Sequence, residues 1–75
     1  MPAGVLEQAE GLFRAGRYAE ARPLFHRCLT TARGSVRPRA AHRLGRCLEY
    51  LNDWNGAAGC YRIAAAARTH RGDAL

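Results

Sequence analysis

Apolar residues recur along this chain at intervals of three and four, the spacing that predicts helices with one buried side. Residues 5–15 show the interval at Val5, Ala9, Leu12 and Phe13. Residues 18–32 show it at seven positions: Tyr18, Ala21, Leu24, Phe25, Cys28, Leu29 and Ala32. Gly16 and Gly34 follow these two stretches, and glycine commonly ends a helix. The first half of the chain is therefore predicted to form two helices.

The second half predicts two more helices. Pro38 suits the first turn of a third helix, with Ser35 or Arg37 near its start. The apolar side of that helix consists of Ala41, Leu44, Cys47, Leu48 and Leu51. After a polar turn at residues 52–56, a fourth helix is expected from about Gly56 to Arg68, followed by a frayed tail from Thr69. Its inward side would hold Ala57, Cys60, Tyr61, Ala64 and Ala65. No stretch alternates apolar and polar residues as a strand does, so the predicted fold class is all-α.

The two halves are related by a shift of 36 residues, which places Gly16 on Asn52. Aromatic residues then fall on aromatic residues, and small or aliphatic residues fall on their like. The matched pairs are Tyr18 and Trp54, Ala21 and Ala57, Phe25 and Tyr61, Cys28 and Ala64, Ala9 and Gly45, and Leu12 and Leu48. A fixed period in this range is typical of proteins built from stacked structural repeats.

The residues that carry this period resemble the tetratricopeptide repeat family. Residues 15–29 (AGRYAEARPLFHRCL) look like the turn and second helix of that repeat, and the second half adds Leu44-Gly45-x-x-Leu48 and Ala57-x-x-x-Tyr61. The resemblance implies two antiparallel helical hairpins, a four-helix fragment of an α-solenoid. It assigns residues 3–34 to a first repeat, residues 36–69 to a second and residues 70–75 to a tail.

The same resemblance implies a protein–protein interaction adaptor rather than an enzyme. Stacked repeats normally need more than two units, and an uncovered apolar side usually marks a partner surface. The face of the fourth helix that would hold a following helix, formed by Tyr61, Ala64, Ala65 and Arg68, is such a surface. We therefore expect a homo-oligomer that self-associates through Tyr61, Ala65 and Arg68.

The charge of the chain is unevenly distributed. The formal net charge is +6, and all 12 basic residues are arginine. The lack of lysine and the abundance of alanine indicate a GC-rich bacterial genome, so part of the arginine content reflects codon use. No acidic residue lies between Glu20 and Glu49, whereas seven arginines do. This asymmetry predicts an electropositive surface that attracts an acidic partner.

The third helix places its arginines at i, i+4 and i+7, on one side. The predicted partner-binding residues are Arg39, His42, Arg43, Arg46 and Tyr50. In the carboxylate-clamp members of the family, which bind acidic C-terminal tails of chaperones, basic residues project from this part of a hairpin, and Arg39 and Arg43 resemble such a pair. The planar fork of arginine can bind a carboxylate through two hydrogen bonds. The alternative is that Glu7 and Glu10 pair with Arg43 and Arg46, which would leave only a solvated face.

Nucleic acid is the competing partner for the same charge. The sequence pI is about 10.3, and a basic cluster is the first requirement of a phosphate-binding surface. Against this, the chain has no recognition-helix, aromatic-platform or zinc-finger motif.

The three cysteines and three histidines lack the short spacings of zinc ligands. We therefore expect Cys28, Cys47 and Cys60 to pack in the core, with no cofactor; a metal or redox role is the weaker alternative. The sequence shows neither a membrane-spanning apolar run nor a signal peptide, and its cysteine spacing does not resemble a disulfide framework. The expected location is the cytoplasm.

Overall fold

The computed structural model describes the backbone of residues 4–73 and the side chains of residues 4–66. Its four helices are α1 (Val5–Arg14), α2 (Tyr18–Thr31), α3 (Val36–Tyr50) and α4 (Trp54–Asp73). No strand occurs between residues 4 and 73, which confirms the predicted all-α class. Residue 3 and residues 74–75, at the outer limits of the expected repeats and tail, lie outside the described residues.

Helix α4 differs from the expectation at both of its ends. It begins at Trp54, two residues before Gly56, because the carboxylate of Asp53 caps it by accepting a hydrogen bond of 3.1 Å from the Gly56 N–H. An aspartate at this position satisfies one of the free N–H groups of a first turn. At the other end, the segment that we expected to be frayed from Thr69 continues as helix to Asp73.

The turns inside the two hairpins have the same geometry. Gly16 and Asn52 both take positive φ angles, of 79° and 66°. In each turn two N–H groups donate to carbonyls of the preceding helix: Gly16 to Phe13 (3.0 Å), Arg17 to Leu12 (2.9 Å), Asn52 to Glu49 (3.0 Å) and Asp53 to Leu48 (2.7 Å). This is the Schellman arrangement that closes many helices. Gly16 and Asn52, which the 36-residue shift superimposes, therefore both end the first helix of their hairpin.

The helices pack in sequence order, α1 on α2, α2 on α3 and α3 on α4, and α1 also touches α3. The molecule measures 38 × 34 × 18 Å. Its smallest dimension is close to the thickness of two helix layers, since a helix with its side chains is about 10–12 Å wide. Two antiparallel hairpins side by side account for this shape. None of these helices within residues 4–73 is long and apolar enough to cross a lipid bilayer.

The core is made of small residues around one large ring. Phe25 and Cys47 are the largest side chains with essentially no exposure. The remaining buried apolar residues are Ala9, Ala21, Cys28, Leu29, Ala40, Ala41, Leu44, Leu48, Ala57 and Cys60. Because seven of these ten are alanine or cysteine, neighbouring helices approach closely around Phe25.

A side chain of α3 also ties the two hairpins together. The guanidinium of Arg37 donates a hydrogen bond of 2.6 Å to the carbonyl of Leu29, in the last turn of α2. The last carbonyls of a helix lack partners within the helix, so Arg37 supplies one from the next hairpin. Arg37 therefore contributes to structure, unlike the neighbouring arginines that point outward.

We expect Phe25→Ala to destabilise the protein by about 3–5 kcal/mol, the usual loss for a buried phenylalanine. A domain of this size has little more stability than that, so the variant should be largely unfolded in a urea titration followed by circular dichroism. Val36→Ala, at a position that is 38% exposed, is the control and should change the stability by about 0.5 kcal/mol or less. Equal melting of Phe25→Ala and wild type would contradict the assigned core.

A second pair of variants tests the close approach of α3 and α4. A Cβ atom on Gly45 would lie 2.8 Å from the Tyr61 ring, whereas a Cβ on Gly59 would meet no atom within 4 Å. Gly45→Ala should therefore lower the free energy of unfolding by about 1 kcal/mol or more through overpacking. Gly59→Ala should raise it by about 1 kcal/mol through helix propensity alone. If Gly45→Ala raised the free energy of unfolding as Gly59→Ala should, Gly45 would not be a contact point.

Candidate functional site

Four of the five predicted partner-binding residues share one side of α3. Arg39, Arg43, Arg46 and Tyr50 follow each other at intervals of three and four residues and are all exposed, so their side chains form one row along the helix. We call the surface formed by this row and the neighbouring residues of α1 the α1–α3 face.

Three aromatic rings form the floor of the α1–α3 face. Tyr50 stacks on Tyr18, at the start of α2, with a centroid separation of 4.2 Å and an interplanar angle of 6°. The ring of Phe13 meets both edge-on, at 5.4 Å from Tyr18 and 6.2 Å from Tyr50. Tyr50 remains 52% exposed, so this cluster of Phe13, Tyr18 and Tyr50 has an open apolar surface. Partial burial and the adjacent Tyr50 raise the pKa of Tyr18, which keeps its hydroxyl protonated.

Arg43 lies over this aromatic floor. Its guanidinium carbon is 5.5 Å from the centroid of Phe13, within the range of a cation–π interaction. Its Nε is also 3.8 Å from Oε2 of Glu10. This distance is near the outer limit of an ion pair and the Arg43 side chain is 44% exposed, so the pair contributes at most about 1 kcal/mol. Arg43 thus keeps donors that a ligand can use.

Arg46 belongs to a small polar network with Glu49 and Tyr61. The Nε of Arg46 is 3.8 Å from Oε1 of Glu49, and the same oxygen accepts a hydrogen bond of 2.6 Å from the hydroxyl of Tyr61. Burial first, and then the bond to Glu49, raise the pKa of Tyr61 to about 12. The neighbouring Tyr50 raises the pKa of Arg46. Both side chains therefore keep their protons at neutral pH, Arg46 as a cation and Tyr61 as a neutral donor.

His42, the fifth predicted residue, is turned toward α4. Its ring centroid lies 5.6 Å from that of Tyr61, on the side of α3 that also carries Gly45. The structure therefore brings together Arg39, Arg43, Arg46 and Tyr50, and it places His42 beside the next helix.

The predicted self-association residues lie on α4. Ala65 is exposed, and Tyr61 is partly buried because its ring packs on Gly45 and its hydroxyl reaches Glu49. The side chain of Arg68 lies outside the described residues. Trp54, in the first turn of the same helix, is 62% exposed. It was not among the predicted residues.

The three cysteines are free and buried, as we expected. Burial raises the pKa of each thiol, that of Cys47 to about 11. The thiolate is the reactive form and the metal ligand, so all three are protonated at neutral pH. Within the side chains that the structure describes, no three histidine, cysteine or acidic residues stand close enough to hold a metal ion.

The sequence predicted the row of arginines on α3 but not all of the side chains that contact this row. It offered Glu10 as a partner of Arg43, and the two do approach, but Arg46 turns to Glu49 three residues along its own helix. It did not foresee the stack of Tyr18 on Tyr50. Those rings are 32 residues apart and belong to different repeats, so only the packing of the hairpins brings them together.

Residues 40–75 match the sequence profile of the tetratricopeptide repeat. This region includes most of α3 and all of α4, and the α1–α2 hairpin repeats its turn geometry. Neither the curated proteins nor the solved structures contain a significant match to the chain.

The Tyr61–Glu49 bond predicts a defined alkaline dependence of stability. An unfolded tyrosine has a pKa of about 10, and the folded value is about 12. Folding thus favours the protonated hydroxyl, so the contribution of Tyr61 is complete below pH about 10 and is lost as the pH rises toward 12. The difference in unfolding free energy between wild type and Tyr61→Phe, measured in urea, should therefore shrink between about pH 9 and pH 12. A difference that stays constant over this interval would show that Glu49 does not hold the Tyr61 proton.

Proposed function

Because the chain belongs to the tetratricopeptide repeat family, whose repeats generally mediate protein–protein interaction, we propose that it is an adaptor that binds a partner peptide on the α1–α3 face. Repeats of this family are typically scaffolds without catalytic activity, and the adaptor role fits that pattern. The bound segment would carry acidic side chains or a free C-terminal carboxylate, together with an apolar side chain.

The observation that carries this proposal is the pairing of an open aromatic floor with loosely held arginines. Tyr50 offers an exposed ring, and aromatic and arginine side chains are the types most often responsible for binding energy at protein interfaces. Arg43 and Arg46 are each held by one carboxylate at 3.8 Å. A ligand carboxylate that makes short, paired hydrogen bonds would replace such a contact at little cost.

The acidic character of the partner follows from the charge of the row. Arg39, Arg43 and Arg46 contribute three positive charges, and the two glutamates beside them, Glu10 and Glu49, offset two. Arg39 has no acidic partner within 4 Å among the described side chains. It would supply the first contact with an incoming carboxylate, and Tyr50 would hold an apolar side chain at the other end of the row.

Self-association through α4 is the second part of the proposal. Ala65 is exposed on α4, and Tyr61, which packs on Gly45 of α3, keeps part of its ring open to solvent. Arg68 lies one turn further along the same helix. Exposed small residues allow another helix to approach closely. The free cysteines support a cytoplasmic location, since a reducing compartment maintains thiols.

Nucleic acid remains the second candidate partner, and the net charge of +6 is the observation in its favour. Two features favour a peptide instead. Repeats of this family generally mediate protein–protein interaction, and the sequence carries no recognition-helix, aromatic-platform or zinc-finger motif of a nucleic-acid-binding domain.

Arg43→Ala should weaken binding of an acidic peptide by about tenfold or more, because a charge-assisted hydrogen bond contributes about 1.5–3 kcal/mol. A suitable probe is a short synthetic peptide with glutamates, one leucine and a free C-terminal carboxylate, titrated by calorimetry. Arg27→Ala, an exposed arginine on the outer side of α2, is the matched control because it removes the same charge elsewhere.

The two candidate partners give different results in this design. If the α1–α3 face binds the peptide, Arg27→Ala binds like wild type and only Arg43→Ala is weak. If the positive charge binds nucleic acid instead, an oligonucleotide binds with a steep salt dependence. Both variants then weaken oligonucleotide binding to a similar degree. Equal peptide affinity of wild type and Arg43→Ala would remove the proposed site.

A further inference from the structure

Trp54 occupies a position that is covered in the first hairpin and open in the second. The 36-residue shift places it on Tyr18, and Tyr18 is half-buried beneath Tyr50 of the following hairpin. Trp54 has no such cover from the described residues and is 62% exposed, the largest exposure of any big apolar side chain among them. The internal repeat therefore indicates what should lie on it, namely the end of another helix.

The same comparison extends along α4. On α2, Tyr18, Phe25 and Leu29 form one row together with the exposed Arg22. The shift places Trp54, Ala58, Tyr61 and Ala65 on Tyr18, Arg22, Phe25 and Leu29. We call this second set the α4 stripe. Phe25 and Leu29 are buried, with 0% and 8% exposure, whereas Tyr61 is only partly buried and Ala65 is exposed. The α4 stripe thus includes the positions that are buried on α2, but these positions are more exposed on α4.

Helix α1 is the segment of this chain that matches the missing helix. The shift places α1 on α3, and it is α3 that lies on α2. On α3, the side toward α2 includes Leu44 and Cys47, both buried. Their equivalents on α1 are Gln8, which is exposed, and Gly11, where an added Cβ would meet no atom within 4 Å. The side of α1 that would contact a preceding helix is therefore open.

The net charges of the helices favour contact of α1 with α4 over contact of α4 with α4 or of α1 with α1. Helix α1 carries Glu7, Glu10 and Arg14, a net charge of −1. Helix α4 carries Arg62, Arg68, Arg71 and Asp73, a net charge of +2. Contact between α1 and α4 brings together two helices of opposite net charge, whereas α4 on α4 or α1 on α1 would bring together helices of like net charge, which is unfavourable at an interface.

We propose that α1 of a second copy docks on the α4 stripe as α3 docks on α2, so that copies join head to tail. This inference rests on the self-association proposed above. It specifies which two surfaces meet and the direction in which copies join. In this arrangement Arg14, which the shift places on Tyr50, lies over Trp54. Tryptophan is the best ring for a cation–π contact with arginine. The small residues Gly11, Ala58 and Ala65 allow the two helices to approach closely.

A head-to-tail contact joins two different surfaces, so each added copy exposes a fresh α4 stripe. Such interfaces form open chains unless the rotation between copies closes a ring. The mass of the wild-type protein in sedimentation velocity should therefore rise with concentration beyond that of a dimer. Trp54 is the one tryptophan of the chain, so its fluorescence emission should move to shorter wavelength over the same concentration range.

Two blocking variants test the direction of assembly. Gly11→Arg places a bulky cation on the open side of α1, and Ala65→Glu places a bulky anion on the α4 stripe. Neither change affects a buried side chain, and circular dichroism checks that both variants fold. Gly59→Arg and Ala19→Glu make the same changes at positions outside both surfaces and should assemble like wild type.

The expected result is that each blocking variant alone is a monomer, while an equimolar mixture forms a one-to-one dimer. The α4 stripe of Gly11→Arg is intact and can receive the intact α1 of Ala65→Glu, and the blocked surfaces stop further growth. Trp54→Ala, which removes the aromatic partner of Arg14, should weaken assembly by about tenfold or more, as for an interface hot spot.

Each other outcome contradicts a distinct part of the proposal. If Gly11→Arg assembles like wild type while Ala65→Glu does not, α4 pairs with α4; self-association stands and the head-to-tail direction fails. If both variants assemble like wild type, the interface lies elsewhere and the inference is overturned. If the wild-type protein stays monomeric at millimolar concentration, self-association itself fails, while the peptide titration of Arg43→Ala still tests the α1–α3 face.

Discussion

The burial of Phe25 in the core that both hairpins share is the interaction on which the rest of the structure depends. Each hairpin alone has only two helices and a few alanine and cysteine contacts, too little apolar area to offset the entropy of ordering the chain. Phe25 is fully buried and joins the two hairpins into one core. The row of arginines on α3 and the aromatic cluster with Tyr18 and Tyr50 keep their positions only while this contact holds.

Much of the fold is present in the sequence because it follows from local chemistry. The three-and-four spacing of apolar residues located α1–α3 closely, and the shift that superimposes Gly16 on Asn52 identified two turns of the same geometry. The start of α4 was missed because Trp54 and Asn55 looked like turn residues, although Asp53 caps the helix directly before them. Its length was underestimated, since the tail that was expected to be frayed from Thr69 is helical as far as Asp73.

The surface was harder to predict than the core. Spacing along α3 shows which arginines share a side, but it does not show which carboxylate each one approaches. Glu7 and Glu10 were the expected partners of Arg43 and Arg46, whereas the structure pairs Arg43 with Glu10 and Arg46 with Glu49. The contact of Tyr18 with Tyr50 depends likewise on the angle between hairpins, which no single helix specifies.

If the α1–α3 face binds a peptide as proposed, the stack of Tyr18 on Tyr50 connects that binding with the folding of the whole chain. The two rings come from different hairpins, so a ligand seated on them contacts both halves of a repeat array that has one inter-hairpin boundary. In arrays of this kind, stability is the sum of unit and nearest-neighbour contributions, and a ligand that requires the boundary adds its binding free energy to it. At a ligand concentration of about 100 times Kd, this mass-action gain is about 2.7 kcal/mol. For so small an array, occupancy of the α1–α3 face would then set the fraction of molecules that are folded.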